Sequence, residues 1–156
     1  MMDNDINGLS IVATPIGNLE DITYRAVKVL EECDIIICEN PKHSLKLLNK
    51  LGIKKKLIAL HDYNEHKIID QIKTLLRNKN CVLISDAGSP LISDPGYNLV
   101  QYCIANNIRV TSVPGPSSIV SSLQLSGLPI SEFTFFGFVP KSKKKIEAVS
   151  YTHLRA

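Results

Sequence analysis

The stretch 85–96, S-D-A-G-S-P-L-I-S-D-P-G, gathers two carboxylates, two glycines and two prolines into one short segment. Glycine lets a backbone approach a ligand with no Cβ in the way and proline fixes its course, so this composition describes a rigid binding loop. The segment follows the apolar run Cys81-Val82-Leu83-Ile84, which reads as a buried strand, and it precedes a helical pattern opening at Asp94-Pro95. Such a loop lies at a strand's carboxyl end, where helix N-termini and unpaired amides converge on ligands in open α/β sheets. T-P-I-G-N at 14–18 and V-P-G-P-S-S at 113–118 are built in the same way. Side chains able to take a proton also fall at or near strand ends: Glu39, His43, His61 and Asp94. Each is a candidate general base, and each is equally suited to a surface or a helix cap.

Alternating strands and helices must position these residues. Apolar runs at 9–13, 34–38, 57–60, 81–84 and 109–113 read as strands, with helical spacing between them. Ile22, Ala26, Val29 and Leu30 share one helix face; Leu45, Leu48 and Leu51 form a second, on a helix capped by Ser44 and stopped by Gly52; Ile68, Ile69, Ile72, Leu75 and Leu76 form a third. Asp94 is a suitable N-cap with Pro95 at the first helical position, ahead of a stripe of Leu99, Val100, Cys103 and Ile104. Ser117 and Ser118 are placed to cap a last helix carrying Val120 and Leu123, and Phe133-Thr134-Phe135-Phe136 reads as extended. This alternation predicts an α/β fold: a five-stranded parallel sheet with helices on both faces.

With 156 residues, 44% hydrophobic and 21% charged, the chain has enough material for one domain with a real core. No apolar run reaches the roughly 20 residues of a membrane span, and the N-terminus is acidic where a signal peptide would be basic, so a cytoplasmic, membrane-free protein is expected. Cys33, Cys38, Cys81 and Cys103 form no C-x-x-C pair and read as buried reduced thiols rather than metal ligands. The charge of +3 is concentrated partly in Lys54-Lys55-Lys56 and in 141–145, clusters that suit solvent or a phosphate backbone. Neither a Walker A sequence nor G-x-G-x-x-G is present, which argues against NTPases and dinucleotide enzymes.

V-A-T-P-I-G-N-L-E-D-I-T at 12–23, the 85–96 segment and V-P-G-P-S-S at 113–118 together resemble the ribosomal RNA small subunit methyltransferase I family of the tetrapyrrole methylase superfamily. The resemblance implies strand order 3-2-4-1-5, S-adenosylmethionine as cofactor, and methylation of a cytidine ribose 2′-hydroxyl in the 16S rRNA of the 30S subunit by a homodimer at full length. It also implies cofactor contacts at Pro15, Ala87, Gly88, Ser89, Ile92, Ser117 and Ser118. By their chemistry, backbone amides near Gly88 suit the cofactor carboxylate, and Asp86 suits either its ammonium or ribose or a cap on its own loop. The resemblance names no general base.

Where that family reads E-D-T-R-H-S, this chain has Glu39-Asn40-Pro41-Lys42-His43-Ser44, replacing a bidentate arginine with a point charge. The family continues into a second α/β domain after G-F-V-P at 137–140. Residues 8–138 are therefore expected to form the cofactor-binding domain and 139–156 a basic linker into a truncated second one, with 150–156 reading as non-native and Phe133, Phe135, Phe136 and Phe138 left uncovered. Alternatives are methylation of a tetrapyrrole or other small molecule, or a non-catalytic RNA- or nucleotide-binding module.

Overall fold

In the computed structural model, which describes residues 7–138 and 140–142, β1 (Gly8–Val12), β2 (Ile35–Cys38), β3 (Lys56–Ala59), β4 (Asn80–Ile84) and β5 (Val110–Val113) form one parallel sheet in the order β3-β2-β4-β1-β5. Between them run α1 (Tyr24–Glu32), α2 (Pro41–Lys50), α3 (Glu65–Asn78) and α4 (Tyr97–Ala105); α5 (Ser118–Leu125) follows β5. The expected order and five-strand count hold. Those parts of the expected linker at 139 and 143–156 lie outside the described residues, and with them Lys143, Lys144 and Lys145.

The strands are apolar at consecutive positions because both faces are covered. Ile35, Ile37, Cys81 and Leu83 point into one core with Ile69, Ile72 and Leu76 of α3 and Leu99 and Cys103 of α4. Ile36, Cys38, Val82 and Ile84 point into the other with Ala26 and Leu30 of α1 and Leu48 of α2. Register follows from this period of two, since a one-residue slip would exchange the two cores' residues.

Several local expectations are corrected. Ser44 does not cap α2: it is buried inside the helix, its hydroxyl donating to the Asn40 carbonyl at 3.1 Å, while Asn40 Oδ1 accepts from Lys42 N–H and His43 N–H with Pro41 at the first turn. Leu45 is exposed and Leu47 is buried in its stead. Asp94 does not cap α4, which starts later, after Gly96. Ile104 is exposed. Ser117 holds the N-cap position of α5 without a side-chain hydrogen bond, and α5 has no buried residue, so Val120 and Leu123 do not reach a core. Ile22 precedes α1, whose cap is Thr23, accepting from Ala26 N–H at 3.1 Å. The segment 133–136 is irregular rather than extended in a sheet. Phe133, Phe135, Phe136 and Phe138 are half or more exposed, as expected.

All four cysteines are free and buried. Burial pushes the thiols up, to about 11 for Cys33 and Cys103 and about 12 for Cys81. The thiolate is the reactive form. A thiol reagent at pH 8 is therefore expected to label none of these three in the native protein and all of them once urea unfolds it; native labelling at the unfolded rate would contradict this packing.

Candidate functional site

The loops after β1, β4 and β5 meet because those strands lie side by side. Thr14 and Gly88 exchange both backbone hydrogen bonds, at 2.9 and 3.0 Å, forming an isolated antiparallel bridge between the first two loops. Thr14 Oγ1 donates to the Ser85 carbonyl at 3.2 Å, and Ser85 Oγ donates to the Gly88 carbonyl at 3.3 Å. Gly88 has φ +79, and a Cβ there would stand 3.3 Å from Ile16 Cγ2 and 3.9 Å from the Pro116 carbonyl oxygen, so the third loop closes over the same point. The amide of Gly88 is therefore engaged by Thr14 and does not serve as a free carboxylate donor; the residue's part is to let three loops come together.

A cavity of about 310 Å³ opens beside this junction. Residues 14–17 and 85–87 form one side; His43, Ser44, Lys46 and Leu47 of α2 form the other. Of the expected contacts, Pro15, Asp86 and Ala87 line it. Gly88, half-buried Ser89, Ser117, Ser118 and Ile92 do not line it: Gly88 is in the loop junction, Ser117 and Ser118 open α5 next to Pro116, and Ile92 is 49% exposed. Among the candidate bases, His43 is on the cavity wall, whereas Glu39, Asp94 and His61 are not.

Charge at this end of the sheet is unbalanced. Asp86 Oδ1 is buried and has no hydrogen-bond partner among the described residues. Burial pushes the Glu39 carboxyl above the usual range, and the negative charges of Asp86, Asp94 and Asp62 add to it, against a hydrogen bond from the Asp86 backbone. Asp94 is raised by burial and by Asp86, against a hydrogen bond from Ser85. The unpartnered Asp86 oxygen, with two further carboxylates near enough to feel its charge, asks for a cation or a strong donor. Among the described residues no group of three or more His, Cys, Asp or Glu is arranged to hold a metal ion.

The loop that carries Asp86 and Asp94 is conformationally demanding, with Leu91 at φ +75, Ser93 at φ +67 and Gly96 at φ +122 before α4 begins. Its far end is anchored by Glu65, 4% exposed at the start of α3, which accepts from Leu99 N–H at 3.0 Å and Asn98 Nδ2 at 2.9 Å. Sequence reading missed this anchor, since nothing local marks a glutamate on one helix as the cap of another. It also missed the α2 wall, although the position of β2 beside β4 in the expected strand order was a usable signal.

Comparison with known proteins gives concordant results. The chain is 50% identical over 138 residues to Ribosomal RNA small subunit methyltransferase I of Thermotoga maritima, covering 88% of this chain and 62% of that protein. It is 51% identical over 146 residues to the protein of the same name from Rickettsia prowazekii (91% and 52%), and 46% identical over 149 residues to that of Escherichia coli O157:H7 (94% and 52%). The chain spans about half the length of the curated relatives it matches. Among solved structures, a diphthine synthase from Entamoeba histolytica overlaps with TM-score 0.60 at 23% identity, covering 83% of this chain and 49% of that one. Uroporphyrin-III-C-methyltransferase from Thermus thermophilus overlaps with TM-score 0.57 at 23% identity, covering 81% and 54%. These two share the fold. The model of the Tetrapyrrole (Corrin/Porphyrin) Methylases matches residues 8–156, and with the sheet order and the three-loop junction already described, the chain belongs to that family.

Proposed function

We propose that this protein takes part in transfer of a methyl group from S-adenosylmethionine to the 2′-hydroxyl of a cytidine in the 16S RNA of the 30S subunit. The observation that carries the cofactor assignment is Asp86 Oδ1, buried and unpartnered on the wall of the loop cavity. A buried acceptor in that state asks for a donor, and the cofactor's ammonium and ribose hydroxyls are donors. The cavity lies at the lower end of the range for small-molecule sites, and its apolar lining from Pro15, Ile16 and Leu19 suits an adenine or a thioether. The named relatives support ribosomal RNA as the methyl acceptor.

Bound there, S-adenosylmethionine would supply a methyl carbon activated by its sulfonium. The protein's work is then positional: an in-line displacement needs the ribose oxygen held about 3 Å from that carbon, with water excluded. Asp86 would fix one end of the ligand and Pro15 and Ala87 would border it, with Ser117 and Ser118 at the adjacent start of α5. Raised carboxyls at Glu39 and Asp94, and the imidazole of His43 on the cavity wall, are the groups able to accept the hydroxyl proton. The same reading carries a cytoplasmic location, a homodimer at full length, and a second domain, encoded by the relatives' remaining length, that closes the site's open side.

Calorimetry with S-adenosylmethionine, then mass spectrometry for 2′-O-methylcytidine in undermethylated 30S subunits, tests the reading. The 156-residue chain is expected to bind the cofactor weakly and to methylate nothing detectable, and a version extended to its relatives' length to turn over. Absence of cofactor binding in both would end the proposal; equal turnover by both would remove the second domain from it.

A further inference from the structure

Tyr63 is 99% exposed, yet the turn that carries it is tightly built. His61 N–H donates to Asn64 Oδ1 at 2.8 Å, Asn64 N–H donates to the His61 carbonyl at 2.9 Å, and Asn64 Nδ2 donates to the Ala59 carbonyl at 3.1 Å. Glu65, the next residue, is the buried anchor of α4. The Tyr63 ring stands 6.2 Å from that of His61, tilted by 57°. The fixed turn thus holds two rings side by side in solvent, His61 and Tyr63 both exposed, where their faces are open to a stacking partner.

The neighbouring strand end, that of β2, opens into α2, where Lys42 and Lys46 lie four residues apart and exposed on a helix with no acidic residue. Neither lysine makes an ion pair among the described residues. Lys46 and His43 stand on the cavity wall itself. Positive charge thus leads to the site along one strand end and a ring pair flanks it at the next. Exposed Asp62, between the two rings in sequence, disfavours phosphate at the ring pair and leaves the phosphates to α2.

We propose that this edge seats single-stranded RNA, with one unstacked base on the His61–Tyr63 pair and phosphates of neighbouring nucleotides on Lys42 and Lys46. The inference rests on the proposed RNA methylation and states how that same site takes its substrate. Single strands expose base faces for stacking on aromatic rings, whereas a duplex hides them, so the platform selects unpaired RNA.

The test is fluorescence anisotropy with a labelled mixed-sequence single-stranded RNA and the same strand annealed to its complement, over a series of salt concentrations. The wild-type chain is expected to prefer the single strand. Tyr63→Ala should weaken that binding about tenfold, within the range for loss of one stacked base. Tyr63→Phe, which keeps the ring, should restore it. The Lys42→Ala/Lys46→Ala pair should flatten the salt slope by about 1.4 units, at ~0.7 per phosphate on a single strand. Lys73→Ala, the loss of an exposed charge further along α3 that is already paired with Asp70, should leave binding unchanged, and thermal unfolding of the Tyr63 variants should match wild type. Wild-type-like binding by Tyr63→Ala, loss in Tyr63→Phe equal to that in Tyr63→Ala, or equal affinity for single strand and duplex would each overturn the platform while leaving RNA methylation standing. A wild-type chain that binds no RNA but binds S-adenosylmethionine would overturn the platform and the RNA acceptor together.

Discussion

Gly96→Ala is expected to lower stability by about 3–4 kcal/mol, a large part of the ~5–15 kcal/mol that holds a domain of this size. The residue sits at φ +122, where any side chain is strained, for roughly 1–3 kcal/mol. The added methyl would stand 2.8 Å from Leu83 Cδ2 and 3.0 Å from Leu91 Cδ2. Leu83 is 2% exposed in the core of β4, and Leu91 is itself held at φ +75, so neither can withdraw freely; overpacking of this kind adds ~1–3 kcal/mol. Urea unfolding at constant slope reads the loss as a lower midpoint. Gly17→Ala is the comparison, with nothing within 4 Å of the new methyl, and should barely move that midpoint. Equal midpoints for the two variants would mean that the loop before α4 relaxes at no cost.

Asp86→Asn is expected to weaken S-adenosylmethionine binding ten- to hundredfold, the range for one hydrogen bond to a charged group, ~1.5–3 kcal/mol. The same change should stabilise the empty protein by about 1 kcal/mol, because it removes the negative charge of a carboxylate whose buried oxygen has no partner. Its pH dependence has a definite sign. Glu39 and Asp94 are raised first by burial and then by repulsion from Asp86. A carboxyl raised on folding takes up protons more readily folded than unfolded, so stability falls as pH rises through that range. Removing Asp86 recovers part of the loss above the ordinary carboxylate range and nothing where Glu39 and Asp94 are protonated. Calorimetry for affinity, and urea midpoints at pH 7 and pH 3, check both halves. A variant that keeps full affinity while gaining stability would leave Asp86 with no part in binding.

Two similar dipeptides show how far the sequence could be read. Asn40-Pro41 and Asp94-Pro95 both carry the marks of a capped helix start. At the first the mark is correct, and the only error was to look for the cap at Ser44. At the second, Ser93 and Gly96 flank the dipeptide at positive φ, and α4 begins only at Tyr97, with the Leu99 amide held by Glu65. No neighbour in sequence distinguishes the two cases; a glutamate on another helix does. The sheet was legible because Ile35, Ile36 and Ile37 are apolar in succession, which only a strand covered on both faces requires. The three loops were legible through glycine and proline. The α2 wall of the cavity was not, because Ser44, Lys46 and Leu47 carry no pattern of their own and reach the site through the adjacency of β2 and β4.

The position of β1 also shapes how the chain comes off the ribosome. Leu9 pairs with Cys81 on one side and Val110 on the other. β1, made ahead of the other four strands of this sheet, therefore has both edges bare until most of the sheet exists, while β2 and β3, with Ile35 beside Lys56, can pair much earlier. At ~5–20 residues per second, the nascent chain carries an unpaired apolar strand for several seconds. During that interval Leu9 and Val12 are available to chaperones and to other nascent chains, and the sheet closes only when β4 arrives between β2 and β1.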